Sequence, residues 1–321
     1  MLLGALGVDR PPEVGLSQDM VHARVSFMNR IEFINIRFDP SGMRIDLDCV
    51  TRNEDEVIEY GIWFEFNRAK KVGHDGLALA LAAVCGSAYT EVFIDLNPSP
   101  AVLKSIGDTT RAHVLVPSPG DSAPASVKIG SSHILSFSGG FDSLAALALM
   151  PKDTRLVSMD FGGKFARERR FFESFDPFIV STNLTETPLI KNSWTFMGVA
   201  AILEASVTPS QWLTFGNVVE ATVDNVNVHP AAAKNRTAPV FQAAGLSSAP
   251  YVLGLTEVGT LLVLLKHYGA DAILKSLTSL AGPGEEKLFR KSVLAQIVAD
   301  RLGMNLGVLS IEPPRHRHCF G

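Results

Sequence analysis

The sequence predicts a mixed α/β protein: a doubly wound parallel sheet in the C-terminal part, preceded by a smaller β-rich α+β domain. Three observations carry this. Short apolar strands alternate with helices from His133 to Gly216, period-two alternation marks a hairpin within residues 24–50, and the polar stretch PSPGDSAPAS at 117–126 separates the two patterns. The chain has 321 residues, 46% of them hydrophobic and 19% charged, which suits an ordinary globular protein with two cores. The expected division is a loose tail over 1–20, a β-rich domain with its linker over 21–125, and an α/β domain with a helical C-terminal part over 126–321.

In chain order, RVSFMNRIEFINIRF, the turn Asp39-Pro40-Ser41-Gly42 and MRIDLDCV read as two strands and their connection. EVIEYGIWFEFN (56–67) extends that sheet. GLALALAAVCGSA from Gly76 is a buried helix, EVFIDL from Glu91 a strand, and SPAVLKSIG a short helix capped by Ser99. After the linker come four strands, HILSFS (133–138), TRLVSMDF (154–161), FIVSTN (178–183) and QWLTFG (211–216). Helices at SLAALALM (143–150), ARERRFFESF (166–175) and WTFMGVAAILEAS (194–206) separate them. Such a pattern buries a parallel sheet on both faces and puts ligands at the carboxyl ends of its strands. From about Pro250 the chain is mainly helical, in TEVGTLLVLLKHYG, AILKSLTSL and EKLFRKSVLAQIVADRLG.

A net charge of -4 and a pI near 6.1 favour neither nucleic acid nor an anionic membrane as partner. No window reaches 18 apolar residues, and the start MLLGALGVDRPP lacks the basic region and cleavage site of a signal peptide. Cys49, Cys85 and Cys319 are scattered without ligand spacing, which fits a reducing cytoplasm. The basic run Lys164, Arg167, Arg169 and Arg170 reads as a solvated helix face or a local anion site. In the tail, His316, His318 and Cys319 are too closely spaced for a tetrahedral metal site by themselves.

The segment that carries chemistry is HILSFSGGFDSLAALALM. A strand runs into Gly139 and Gly140 and then into a helix with Phe141, Asp142 and Ser143 in its first turn. Glycines let backbone approach an anion, the N–H groups of a helix start point at it, and Ser138 and Ser143 add hydroxyls. Asp142 beside a polyphosphate makes sense as a ligand of a magnesium ion bridging to the phosphates. No Walker A or G-x-G-x-x-G pattern occurs at this loop.

Ser138-Gly139-Gly140-Phe141-Asp142-Ser143 resembles the S-G-G-x-D-S loop of the PP-loop ATP pyrophosphatases, whose members include GMP synthetase, asparagine synthetase and the 7-cyano-7-deazaguanine synthases. The resemblance implies a parallel five-stranded doubly wound sheet and a loop that binds the pyrophosphate portion of ATP with Mg2+. It also implies an acceptor oxygen attacking the α-phosphate. Met159-Asp160-Phe161-Gly162-Gly163 stands where the family places adenosine, so Met159 backbone is expected at the adenine edge and Asp160 at the ribose or the metal. Thr214-Phe215-Gly216-Asn217-Val218-Val219-Glu220 is similar to the family's G-H-x-x-D-D-like segment: Gly216 matches, Asn217 replaces the histidine, and Glu220 stands for an acid. The late segment from Ser276 to Lys291 looks like the cysteine-bearing element of the 7-cyano-7-deazaguanine synthases without its cysteines, so no structural zinc is expected. Lys287, Arg290 and Lys291 remain as contacts for phosphate or an acidic substrate, or as a solvated face.

The expected function is therefore ATP-dependent adenylation of a small-molecule or peptide-like acceptor, through a carboxylate or amide-like oxygen, with release of pyrophosphate and subsequent ligation or a related step. Asp142, Glu220, Lys287 and Arg290 are the expected catalytic residues. Ser138, Gly139, Gly140, Phe141, Asp142, Ser143, Met159, Asp160 and Gly216 are expected to bind nucleotide. Two alternatives stay open: an epimerase of a muramoyl-peptide glutamate working through an acyl-adenylate, and a non-catalytic nucleotide-binding or scaffold protein. The oligomeric state stays open as well, a homo-oligomer included.

Overall fold

A computed structural model describes residues 29–118, 130–218 and 237–307. The expected N-terminal tail, most of the linker, Glu220 and the His/Cys tail lie outside these residues. The described chain forms one ten-stranded sheet with nine described α-helices, so the class is mixed α/β.

Three antiparallel strands open it: β1 (Arg30–Phe38), β2 (Arg44–Arg52) and β3 (Val57–Phe66). Alternation sends Ile45, Leu47 and Cys49 of β2 inward. On the other face, Arg44 pairs with Asp46 and Glu65 at 2.9 Å each, and its guanidinium lies over Trp63. Among the described residues this half is thus covered on one side only, as antiparallel sheets often are. Helix α1 (His74–Cys85) is buried almost throughout and leads to β4 (Glu91–Ile94), α2 (Pro100–Thr110) and β5 (His113–Leu115), with β4 and β5 parallel to β1. Ser99 does occupy the N-cap of α2, but its side chain makes no capping bond. Its N–H donates instead to the Asp75 carboxylate at 2.6 Å, which holds the turn before the helix.

The second half runs β6 (His133–Ser136), α3 (Phe141–Leu149), β7 (Arg155–Asp160), α4 (Ala166–Phe172), β8 (Phe178–Thr182), α5 (Val199–Val207), β9 (Trp212–Thr214), α6 (Pro239–Ala243) and β10 (Ser247–Ser248). Helices α7 (Glu257–His267), α8 (Gly269–Leu280) and α9 (Glu286–Arg301) close the described chain.

The strand order is β10-β9-β6-β7-β8-β3-β2-β1-β4-β5. The strands from β10 to β8 are mutually parallel. They do not form a five-stranded sheet of their own, because β8 pairs antiparallel with β3 through Phe64↔Thr182, Glu65↔Ser181 and Phe66↔Val180. A free β8 edge would present unpaired backbone groups; β3 satisfies them.

Period two divides the parallel strands between two cores. Ile134, Val157, Met159, Val180 and Leu213 face α1 and α5 in a core that also holds Ile31, Phe33 and Phe64 of the first half. Leu135, Phe137 and Ile179 face the other core, built with α3, α7, α8 and α9. The first core crosses the expected domain division, and a largely buried ion pair, Lys70 Nζ to Glu204 Oε2 at 2.5 Å, crosses it too.

Candidate functional site

Strand order reverses between β6 and β9: β7 follows β6 on one side, and the later strands β9 and β10 lie on the other. In open α/β sheets the crevice at such a reversal, at the carboxyl ends of the strands, is where ligands bind. The loop after β6 and the segment after β9 both end there.

Phe137 continues β6 by donating its N–H to Val157 O at 2.8 Å. Ser138 is exposed, and then Gly139 turns at φ +75, in the left-handed region. A Cβ at Gly139 would also lie 2.6 Å from Phe171 Cδ1, so glycine is required twice over. The Gly139 carbonyl accepts from the buried Ser276 hydroxyl at 2.7 Å, which ties the loop to α8. Gly140 is the N-cap of α3, and Leu144 N–H makes the first intrahelical bond to its carbonyl at 2.9 Å. The N–H groups of the preceding first turn therefore have no helical acceptor. Ser143 Oγ donates to Gly140 O at 3.0 Å and lies 3.3 Å from Ser138 Oγ. Gly216 comes against this turn: a Cβ there would lie 2.8 Å from Ser143 N and 3.1 Å from the Asp142 carbonyl carbon. The structure thus brings together Ser138, Gly139, Gly140, Phe141, Asp142, Ser143 and Gly216.

Asp142 lies half-buried against charged and polar residues of α7 and α9. Its Oδ1 is buried without a hydrogen-bond partner. Burial pushes the Asp142 carboxyl above its ordinary range, and the Glu257 charge adds to that push; the charges of Lys291 and Lys287 and the Thr260 hydroxyl act against it. Lys291 Nζ sits 2.7 Å from Glu257 Oε1 and 5.7 Å from the centre of the Phe141 ring. Lys287, one turn earlier on α9, is exposed, and its charge also reaches Glu168, whose carboxyl is pushed up by burial. Arg290 is 67% exposed and nears Glu286 at 3.8 Å, on the solvent side of α9.

Met159 and Asp160 end β7 at the same edge of the sheet. Both Asp160 oxygens are engaged: Oδ1 accepts from Gly162 N–H at 3.0 Å, and Oδ2 accepts from Arg169 at 2.6 Å and Ser181 at 3.1 Å. In the basic run, Arg169 is thereby committed to Asp160 and Glu173, and Arg167 to Glu285 at 3.0 Å. Ser276, Thr260 and Glu257 carried no signal of their own in the sequence. Each sits in a helical pattern that reads as packing, and only the fold turns it toward the loop. Lys291 was visible as one of three basic residues that could contact phosphate or an acidic substrate, or form a solvated face.

A magnesium polyphosphate fits these residues. Orphan helix-start N–H groups, two hydroxyls and an unpartnered buried carboxylate oxygen converge on one loop. Among the described residues no group of three or more His, Cys, Asp or Glu gathers, so a cation here would rest on Asp142, phosphate oxygens and water, as Mg2+ commonly does. Among the described residues no helix is long and apolar enough to cross a membrane. The chain matches no family model, no curated protein and no solved structure.

Proposed function

We propose that the chain binds ATP with Mg2+ through Ser138–Ser143 and adenylates a small or peptide-like acceptor, releasing pyrophosphate. In this reading β6 to β10 are the five strands of a PP-loop sheet, continued by the N-terminal strands. The observation that carries it is the close approach of Gly216 to the first turn of α3 beside a left-handed Gly139. Two glycine-dependent contacts shape one anion cradle at the strand-order reversal.

Bound there, Mg2+ would neutralise charge on the leaving pyrophosphate. The chain's own part is positioning. The N–H groups of Phe141 and Asp142 and the hydroxyls of Ser138 and Ser143 would hold the pyrophosphate portion, and Asp142 would hold the metal. Lys287 offsets the negative charge from the exposed side. An acceptor oxygen then attacks the α-phosphorus as the bond to the bridging oxygen breaks. Product bonds are P–O to the acceptor, and the electron pair leaves with pyrophosphate. Incubation with ATP–Mg and a panel of carboxylates tests this by release of pyrophosphate and AMP. Formation of ADP and phosphate rejects the reaction class, and unchanged turnover in Asp142→Ala rejects the site.

A further inference from the structure

A cavity lies along the 215–217 segment whose middle residue, Gly216, packs against the loop. Phe215 and Asn217, on either side of Gly216, line a half-open pocket of about 760 Å³ together with Trp194, Phe241, Thr237 and Gln242. That is the size of a pocket for one small molecule. Its wall is built. Phe215 meets Trp194 edge-on, with ring centres 5.4 Å apart, and Phe241 lies 5.6 Å from Phe215. A Cβ on Gly198 would lie 2.4 Å from Phe241 Cε1 and 3.2 Å from Phe215 Cζ, so both rings rest on bare backbone where α5 begins. Trp194 is nevertheless 58% exposed, a large apolar surface left open beside the crevice.

The lining has no ionisable side chain among the described residues; its polar groups are amides and hydroxyls. Among the described lining residues a charged group would meet no opposite charge to replace its lost hydration. A flat uncharged group would stack on the rings and reach Asn217 or Gln242 with its hydrogen-bonding edge.

We infer that this pocket receives the non-reacting body of the acceptor, and that this body is uncharged, with a planar apolar face and amide- or hydroxyl-type edge groups. The inference rests on the proposed use of the loop, since Gly216 is what sets pocket and loop side by side. It assigns specificity to Trp194, Phe215 and Phe241, outside the nucleotide cradle.

The test reads the pocket without turnover. The indole resonance of Trp194, identified with Trp194→Phe, is followed while three peptide-like probes are added: N-acetylated, amidated phenylalanine, aspartate and lysine. They share their amides and differ in a neutral aromatic, anionic or cationic body. The aromatic probe should shift the resonance saturably and bind about ten-fold or more tightly than either charged probe. Gly198→Ala, which pushes Phe241 into the cavity, should abolish the shift while ATP–Mg binding, measured by calorimetry, persists. ATP–Mg should change the probe's affinity by about five-fold, and the probe that of ATP–Mg equally, because the two sites share the 215–217 segment. In a chain that binds ATP–Mg, absence of saturation up to about 10 mM, tighter binding of a charged probe, or absence of coupling overturns the inference alone. Failure of the wild-type chain to bind ATP–Mg overturns the reading of the loop instead, whatever Trp194 reports.

Discussion

Gly139→Ala perturbs the loop in two separable ways, and the structure gives a magnitude to each. A left-handed backbone costs a residue with a Cβ about 1–2 kcal/mol. The new methyl would also stand 2.6 Å from Phe171 Cδ1 and 3.2 Å from Cε1. That ring cannot simply swing away, because it packs edge-on against Phe175 at 5.5 Å, and Phe175 against Phe137 at 4.9 Å. Overpacking of this kind costs about 1–3 kcal/mol. The single variant should therefore lose about 2–5 kcal/mol of stability in urea unfolding, with the denaturant slope unchanged. Phe171→Ala removes the obstacle but not the backbone term. The double variant should thus be more stable than the two single losses summed by the steric share, about 1–3 kcal/mol. Losses that add to within about 0.5 kcal/mol would refute the claim that Phe171 closes over the loop.

Three further outcomes follow from the charged surroundings of Asp142 and the loop anchor. A carboxyl whose folded-state pKa is raised contributes stability that is fully present below its unfolded pKa and lost as pH rises through the folded one, so ionised Asp142 destabilises the fold at neutral pH. Asp142→Asn should accordingly raise the melting temperature at neutral pH, by a margin that shrinks on acidification, while pyrophosphate release is lost; a lower melting temperature at neutral pH contradicts this. Lys291 is the strongest of the influences holding the Asp142 carboxyl down, so Lys291→Met should move the acid limb of the pH–rate profile to higher pH. A limb that stays in place would separate Lys291 from Asp142. Ser276→Ala removes the 2.7 Å donor to the Gly139 carbonyl and should cost about 1–3 kcal/mol in urea unfolding, the range for leaving a buried acceptor unsatisfied.

What the sequence made legible was local. The glycine pair between an apolar strand and an apolar helix predicted a turn into a helix start, and Gly139 and Gly140 are placed so. Period-two alternation marked β2, whose Ile45, Leu47 and Cys49 turn inward. The junction of the halves was not legible. β3 meets β8 across more than a hundred residues, and neither strand's pattern names its partner, since alternation fixes a face but not a neighbour. The partners of Asp160 were not legible for a related reason. A strand-end carboxylate before Gly162-Gly163 signals a ligand or a turn equally well, and the arginine that occupies it lies nine residues on, amid a basic run that reads as solvated. Ser276 and Thr260 were invisible because a hydroxyl on a helix face has the same pattern whether it meets solvent or a distant carbonyl.

The first half of the chain acts on the candidate site through the sheet rather than by lending side chains to it. Each contact described for the 138–143 loop comes from residues after Phe137. Yet the β7 end, where the resemblance to PP-loop enzymes would place adenosine, is fixed from β8. Asp160 pairs in register with Ser181, and Ser181 with Glu65 of β3. The Ser181 hydroxyl and Arg169 share the Asp160 Oδ2 atom. Loss of β3 would free the outer edge of β8, and with it the strand that holds Ser181 against Asp160. Arg169, 40% exposed and also bonded to Glu173, and the Gly162 N–H would then be left to keep that carboxylate in place. An acidic group at the carboxyl end of β7 is useful beside a nucleotide only if its negative charge is neutralised and its position set. Both conditions are met here by α4 and β8 together, and β8 is held on its far side by the N-terminal strands. On the proposed reading the N-terminal half is in this sense part of the nucleotide side of the site, while the aromatic pocket on the opposite side of β6 depends on β9, α6 and the start of α5.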